Sequence, residues 1–335
     1  MTPDPPPPLD HGFLGPDSVA WRVFRHPSSF TVGFLRTVVT EMFDPFLLAS
    51  VADTGATETR TSSRYARTLE YVATAAFADS QRAVHAADVL YRIHDRIRGI
   101  EPISGQPFDA NDPDQQLWIH LTQWHSVLFC YELVGPGPLS AADEARYWHE
   151  GRVLAELQTI DPDTVPRNRA EMRDYYRRVR PRLAVTEDTQ RIVANLLGAP
   201  GTLATRGSAV AGPVVRAATI ATLPGWLRRL AGLRQPAAIG AAALRTARVA
   251  LQAMDRRPEH GLMVLADLSR GAHDVVAPRV REVEPTKAVV RTPAEAFAAA
   301  GLVPPRHRFL DSADRAPKRA EAPRDRGPEA LLELA

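Results

Sequence analysis

The 335-residue chain has a single cysteine, Cys130, and only two lysines, Lys287 and Lys318. One thiol excludes an intrachain disulfide framework. Arginine therefore carries nearly all the positive charge, and with 41 basic against 39 acidic residues the formal net charge is only +2. That balance offers no electrostatic case for nucleic acid. Long hydrophobic runs are also missing: none reaches the roughly 18 to 20 residues that a bilayer-spanning helix needs. The most apolar late segments, Ala217 to Leu227 and Pro236 to Leu244, are short and arginine-flanked. The opening residues, MTPDPPPPLDHG, lack the basic stretch and apolar core of a secretory signal. The expectation is a cytoplasmic protein without a transmembrane segment. There is no Walker A loop, no GxGxxG after a strand, no HExxH and no GxSxG. Cys130 lies in SVLFCYE, without the glycine-rich surroundings of a P450 thiolate ligand. These absences argue against the common nucleotide-binding, metalloprotease, hydrolase and P450 chemistries.

What is present is ordinary globular material, 44% hydrophobic and 24% charged, enough for one large core. The pattern predicts an all-α fold, a single large helical domain over residues 16–276. A proline-rich leader (1–15) and a Pro/Arg-rich tail (277–335) flank it, both expected to be largely disordered. Helix starts are legible at Asp17–Ser18, at Ser62–Ser63, at Asp112 before Pro113, at Ser140 with Asp143, and at Thr186. VGPGP (134–138) and DPDTVP (161–166) mark breaks. The run LMVLADL (262–268) fits strand or helix equally. Within the tail, Thr292-Pro293-Ala294-Glu295 starts one short helix and Gly301 stops it.

Three groups of residues carry candidate chemistry. In RYARTLEY, positions Arg64, Arg67, Thr68 and Tyr71 share a helix face, a strip suited to an anionic or oxygen-bearing ligand or, equally, a solvated basic stripe. In the next helix Ala83, Ala87, Leu90, His94 and Ile97 form one stripe, which puts His94 on an apolar face. A buried neutral imidazole is the form that ligates haem or a metal, and it is also a common satisfied core residue. His85 falls on the opposite face. The third group, Trp118, His120, Trp124, His125 and Tyr131, lies in a long apolar and aromatic helix whose histidines are either packed core or ligands.

The ordered series GPDSVAWRVFRHP, DPFLLASVADTG, RYARTLEYVATAAFAD, VLYRIHDRIRG, NDPDQQLWIHLTQWHSVLFCYE, VPRNRAEMRDYY and LPGWLRRLAGL resembles the oxygenase family of MpaB and latex clearing protein. The likeness spans roughly residues 11–256. It implies a helical fold with a buried haem b pocket and cleavage of hydrophobic, isoprenoid-like small molecules by dioxygen. It implies that His94 is the proximal iron ligand, that Arg64, Arg67 and Thr68 form the distal strip with Arg64 and Thr68 catalytic, and that His120 is a further cofactor-side histidine. Three positions depart from the pattern. Asp44-Pro45 stands where relatives often have His-Pro. No acid aligns with the glutamate of the rubber enzymes, with Glu41, Asp44, Asp53 and Glu58 only nearby. Arg67 replaces a lysine able to ligate iron, and a guanidinium has no lone pair to give. Two other expectations are a peroxidase-like tailoring enzyme and a haem-binding protein without turnover.

Overall fold

The computed structural model describes residues 7–53, 61–198 and 211–312. It is all-α: 70% of it is helical, in 16 helices, and one two-stranded ribbon is the only sheet among the described residues. The chain runs through α1 (Val19–Arg25), a π-helical turn (Ser29–Gly33), α2 (Phe34–Glu41), α3 (Pro45–Asp53), α4 (Thr61–Phe77) and α5 (Ser80–His94). The ribbon follows, β1 (Arg98–Ile100) antiparallel to β2 (Pro107–Asp109). Then come α6 (Pro113–Val134), α7 (Ala141–Ala155), α8 (Arg169–Val179) and α9 (Glu187–Gly198). The last part holds α10 (Ala211–Thr222), α11 (Gly225–Leu230), α12 (Ala237–Asp255), α13 (Pro258–Leu268), α14 (Arg270–Val280), α15 (Pro293–Ala299) and α16 (Pro305–Asp311).

Several of the expected starts are made by side chains, whereas Ser62 and Ser63 lie inside α4, which begins at Thr61. Ser18 accepts from Trp21 N, Asp112 from Asp114 N and Gln115 N with Pro113 in the first turn, and Ser140 from Asp143 N, while Thr292 and Glu295 close a capping box. Each of these satisfies donors that a helix start otherwise leaves open. LMVLADL is the body of α13.

α6 is the axis of the molecule. Fourteen of its 22 residues are buried, on every side of the helix, so it has no solvent face to mark in sequence. Around it pack α1, α2, the π-turn, α7 and α12. One large core results, with Trp118, Leu121, Tyr147, Trp148 and Phe34 among its most buried members.

The leader and tail differ from expectation within the described residues. The boundary expected at 276/277 falls inside α14. Residues 8–12 pair with 286–291: Thr286 N donates to Pro8 O (2.8 Å), Lys287 N to Leu9 O (2.9 Å), His11 N to Val289 O (2.9 Å) and Arg291 N to Gly12 O (2.8 Å). Proline lacks an N–H but keeps its carbonyl, so a proline-rich leader still serves as acceptor. α16 docks on α5 through Arg308 to Asp88 (2.7 Å) and over the Tyr91 ring (4.8 Å). The remaining parts of the expected leader and tail, residues 1–6 and 313–335, lie outside the described residues.

Candidate functional site

α4 and α5 are joined by two residues only, Ala78 and Asp79, and pack against each other as a hairpin. Arg64 lies near the start of α4 and His94 is the last residue of α5, so a hairpin brings the two to the same level at its open end. The electrostatics agree: the Arg64 charge acts on the His94 ring.

The position of His94 is set by the chain that leaves it. Ile97 N donates to His94 O (2.9 Å), and Ala110 N donates to Ile97 O (3.0 Å) across the ribbon. Asn111 Nδ2 donates to Tyr91 O (3.0 Å). The ribbon thus returns the chain from the end of α5 to the start of α6, and lays Gln116 beside the histidine. The Gln116 amide nitrogen lies 3.0 Å from His94 Nδ1 and also donates a short bond to Ala110 O. Its two protons go to those two acceptors. Burial and the Arg64 cation together press the imidazole pKa down to about 4. The ring is therefore neutral at physiological pH, with Nδ1 occupied, and no described group hydrogen-bonds Nε2.

The α4 strip divides. Arg64 turns inward: its guanidinium donates to Val51 O (3.2 Å), and desolvation lowers its pKa. Tyr71, on the same face, has a buried hydroxyl without a hydrogen-bond partner. The neighbouring Tyr65 packs edge-on against Phe34 (4.7 Å between rings), and its hydroxyl is likewise buried and unpartnered. Arg67 and Thr68 are exposed, and the Thr68 hydroxyl donates to Arg64 O (2.9 Å), a bond within its own helix.

His120 is not at this site's centre. Its Nε2 donates to Gly151 O (2.9 Å), its ring stacks on Trp124 (5.8 Å), and burial lowers its pKa to about 4. Gly151 has no Cβ to interfere, since one would meet the Trp124 indole at 2.7 Å. His120 thus ties α6 to α7. His85 is exposed, as its helical position requires.

The acidic neighbours also resolve. Asp44 caps α3 through Phe46 N (3.0 Å) and Leu47 N (3.2 Å), and it pairs with Arg182 (2.9 Å). An aspartate before Pro45 is thereby a cap and ion-pair partner. Glu41 is buried, and desolvation pushes its carboxyl up to about 8. It belongs with Tyr176, whose ionisation its charge opposes, on the side of α6 that holds Arg36 and His125. The Asp53 side chain and Glu58 lie outside the described residues. Sequence reasoning missed Gln116 and Arg182; each acts on a residue 22 or 138 positions away, and no local pattern signals such a contact.

Among the described residues no three His, Cys, Asp or Glu side chains come together to hold a metal ion. A protein-only iron site takes a set such as two histidines and a carboxylate, whereas haem brings four nitrogens of its own and asks the protein for one or two axial donors. A single neutral histidine meets that smaller demand once its ring proton moves from Nε2 to Nδ1, which frees the Nε2 lone pair. Two buried, unpartnered tyrosine hydroxyls on α4 add polar groups that a bound molecule could satisfy.

A family model described as "ER-bound oxygenase mpaB/B'/Rubber oxygenase, catalytic domain" matches residues 21–256. That span holds every site residue discussed above. Neither the curated proteins nor the solved structures give a match.

Proposed function

Because the chain belongs to the mpaB/rubber oxygenase family, with its catalytic domain over residues 21–256, we propose that it is a haem b-dependent oxygenase that uses dioxygen on a hydrophobic small molecule, with His94 as the iron ligand. The oxygenase class follows from membership. The observation that supports the finer reading is the convergence of a neutral, desolvated His94 and an inward-turned Arg64 at the open end of one helical hairpin.

Bound haem would supply an iron able to bind and activate dioxygen. The chain's part is orientation and polarity. His94 offers Nε2, and Gln116 fixes the ring plane through Nδ1. Ligation through Nε2 needs the neutral ring's proton on Nδ1, so the Gln116 amide, which donates to Nδ1 and to Ala110 O, would have to release the ring and leave the Nδ1 proton to an acceptor. Arg64 is a cation held in a low-dielectric setting, suited to stabilise negative charge that develops on a substrate. Arg67 and Thr68 face solvent, which leaves Arg64 as the distal-strip residue best placed for chemistry.

The test is a preparation made with haem precursor supplied. The expected product is a red protein with a Soret band whose ferric, ferrous and carbon-monoxide spectra change in His94→Ala and stay near wild type in His85→Ala. Oxygen uptake with a hydrophobic alkene, without added peroxide, supports the oxygenase reading. Peroxide-dependent turnover alone would assign peroxidase chemistry instead, and a colourless protein would remove haem from the account.

A further inference from the structure

The charge of this nearly neutral chain is unevenly placed. Residues 211–257, which form α10, α11 and α12, contain eight arginines, one acid (Asp255), and no lysine or glutamate. The segment is therefore +7, and the rest of the chain, at a total of +2, is −5. Elsewhere arginines are commonly paired with carboxylates, as in Arg22–Asp143, Arg169–Glu132 and Arg281–Glu259. None of the eight joins such a pair among the described residues. Arg229, Arg234, Arg245, Arg248, Arg256 and Arg257 are all exposed.

Aliphatic side chains stand out between these cations. α12 buries Gly240, Ala243, Ala247 and Leu251 against its neighbours, at helical spacing, and the close Gly240–Ala221 approach seats it on α10. That leaves its outer face free, where Val249 is 69% and Ile239 53% exposed, and Leu230 on α11 is 44% exposed. Arg245 and Arg248 lie within one turn of Val249, and Arg229 adjoins Leu230. Exposed aliphatic side chains with exposed arginines beside them in sequence match a lipid headgroup layer, where aliphatic groups enter the acyl boundary and the cations meet phosphate.

We propose that the α10–α12 face docks on the surface of an anionic phospholipid membrane, lying in the plane of the interface. No helix among the described residues is long and apolar enough to cross a membrane, so the contact is peripheral. Two other occupants fit less well. A second copy would bring a +7 face against a +7 face. Single-stranded nucleic acid asks for stacking platforms, and the one aromatic residue of the segment, Trp226, is covered by Arg180 at 4.5 Å. The negative remainder of the molecule orients it, since a −5 body is repelled by the surface that attracts the +7 face. The proposal rests on this face alone and is independent of any bound cofactor.

The experiment is co-sedimentation of the full chain with phosphatidylcholine vesicles, with and without about 30% phosphatidylserine. Binding is expected to be at least about tenfold tighter with the anionic lipid, and to be lost near about 0.5 M salt. Arg229→Glu/Arg245→Glu/Arg248→Glu should abolish it, and Val249→Asp should weaken it. A charge-matched control on other surfaces, Arg82→Glu/Arg173→Glu/Arg177→Glu, should bind as wild type. All four substituted positions of the first two variants are exposed, and circular dichroism checks that each folds. Equal binding to both vesicle types, or retained binding by the triple variant, overturns the proposal. So does salt-sensitive binding of single-stranded RNA without vesicle binding, which would assign the face to nucleic acid. Dimerisation lost in Val249→Asp, again without vesicle binding, would assign it to a second copy.

Discussion

His94 and His120 are the same residue type, both have their pKa pressed to about 4 by burial, and both answer to α6. They differ in what holds them. His120 gives Nε2 to a backbone carbonyl on α7 and stacks on Trp124, so its surroundings complete it. His94 is gripped at Nδ1 only, by a side-chain amide, and the Arg64 charge disfavours its protonation. Burial and a depressed pKa therefore do not distinguish a ligand from a core residue. The distinction lies in which ring nitrogen is left over and what charge acts on it.

The sharpest way to break this comparison is to remove each ring. His94→Ala should lose iron ligation outright, read as an altered Soret band and haem loss, with little change in the melting temperature of metal-free protein. His120→Ala should do the reverse: about 2–4 kcal/mol of stability lost, from a core cavity and an orphaned Gly151 carbonyl, with an unchanged spectrum in whatever folds. Urea unfolding and absorbance on the same samples read both. If the two signatures are exchanged, the assignment of roles is reversed.

Acid titration sharpens the same contrast. His94, His120 and His125, depressed to about 4, 4 and 3, stay neutral in the folded protein while the unfolded chain protonates near 6.5. Their contribution is thus complete above 6.5 and is lost as pH falls toward 4. Glu41 acts oppositely: raised from 4.5 to about 8, it is protonated when folded, so its contribution is lost as pH rises from 4.5 through 8. Between 4.5 and 6.5 three histidines outweigh one carboxyl by two protons, a slope of at most about 3 kcal/mol per pH unit. Metal-free protein should therefore be most stable near pH 6.5 and decline on both sides. With iron bound, the acid limb should extend further below pH 4, because a coordinated His94 resists protonation further. A flat profile from pH 5 to 8 would contradict the burial of these groups.

A smaller effect separates the two ends of the α4 strip. Arg64→Ala should keep haem and lower oxygen-dependent turnover by about tenfold or more, the range for removing one charged stabiliser. Thr68→Ala should stay within about twofold, because its hydroxyl is spent on the Arg64 carbonyl and its side chain faces solvent. Equal losses in the two variants would place Thr68 at the chemistry after all. Smaller still, Gln116→Leu should shift the ferric and ferrous bands slightly with haem retained, since it frees the Nδ1 side of the ring without removing the ligand.

Much of this was legible in the residues. Local signals hold: a serine, threonine or aspartate before an apolar run caps its helix at Ser18, Asp112, Ser140 and Thr292 because the capping bond spans only two or three residues. The apolar side of α5 correctly turns His94 away from His85. The strip on α4 was only half legible. Helical spacing groups Arg64 with Thr68 and Tyr71, but which edge of that face meets α5 is decided by packing between helices. The π-helical turn at Ser29–Gly33 has no sequence mark, and it sits where Gly33 lets the chain approach α6 closely. The leader and tail escaped for another reason. Each alone has too few apolar groups to bury, and their order comes from backbone bonds between segments some 275 residues apart.

Those bonds bear on the making of the protein. Asp10 reaches from the clasped leader to the first residue of α5, accepting from Ser80 N (2.8 Å) and from the Ser80 hydroxyl. The helix that ends in His94 is thus anchored by a segment whose own backbone partners, residues 286–291, are translated some 275 residues later. At about 5–20 residues per second a ribosome needs roughly 15 to 55 s to cover the interval. Throughout that time residues 8–12 wait beside a nascent chain with their acceptors open to water, and the clasp closes only after almost the whole domain has emerged.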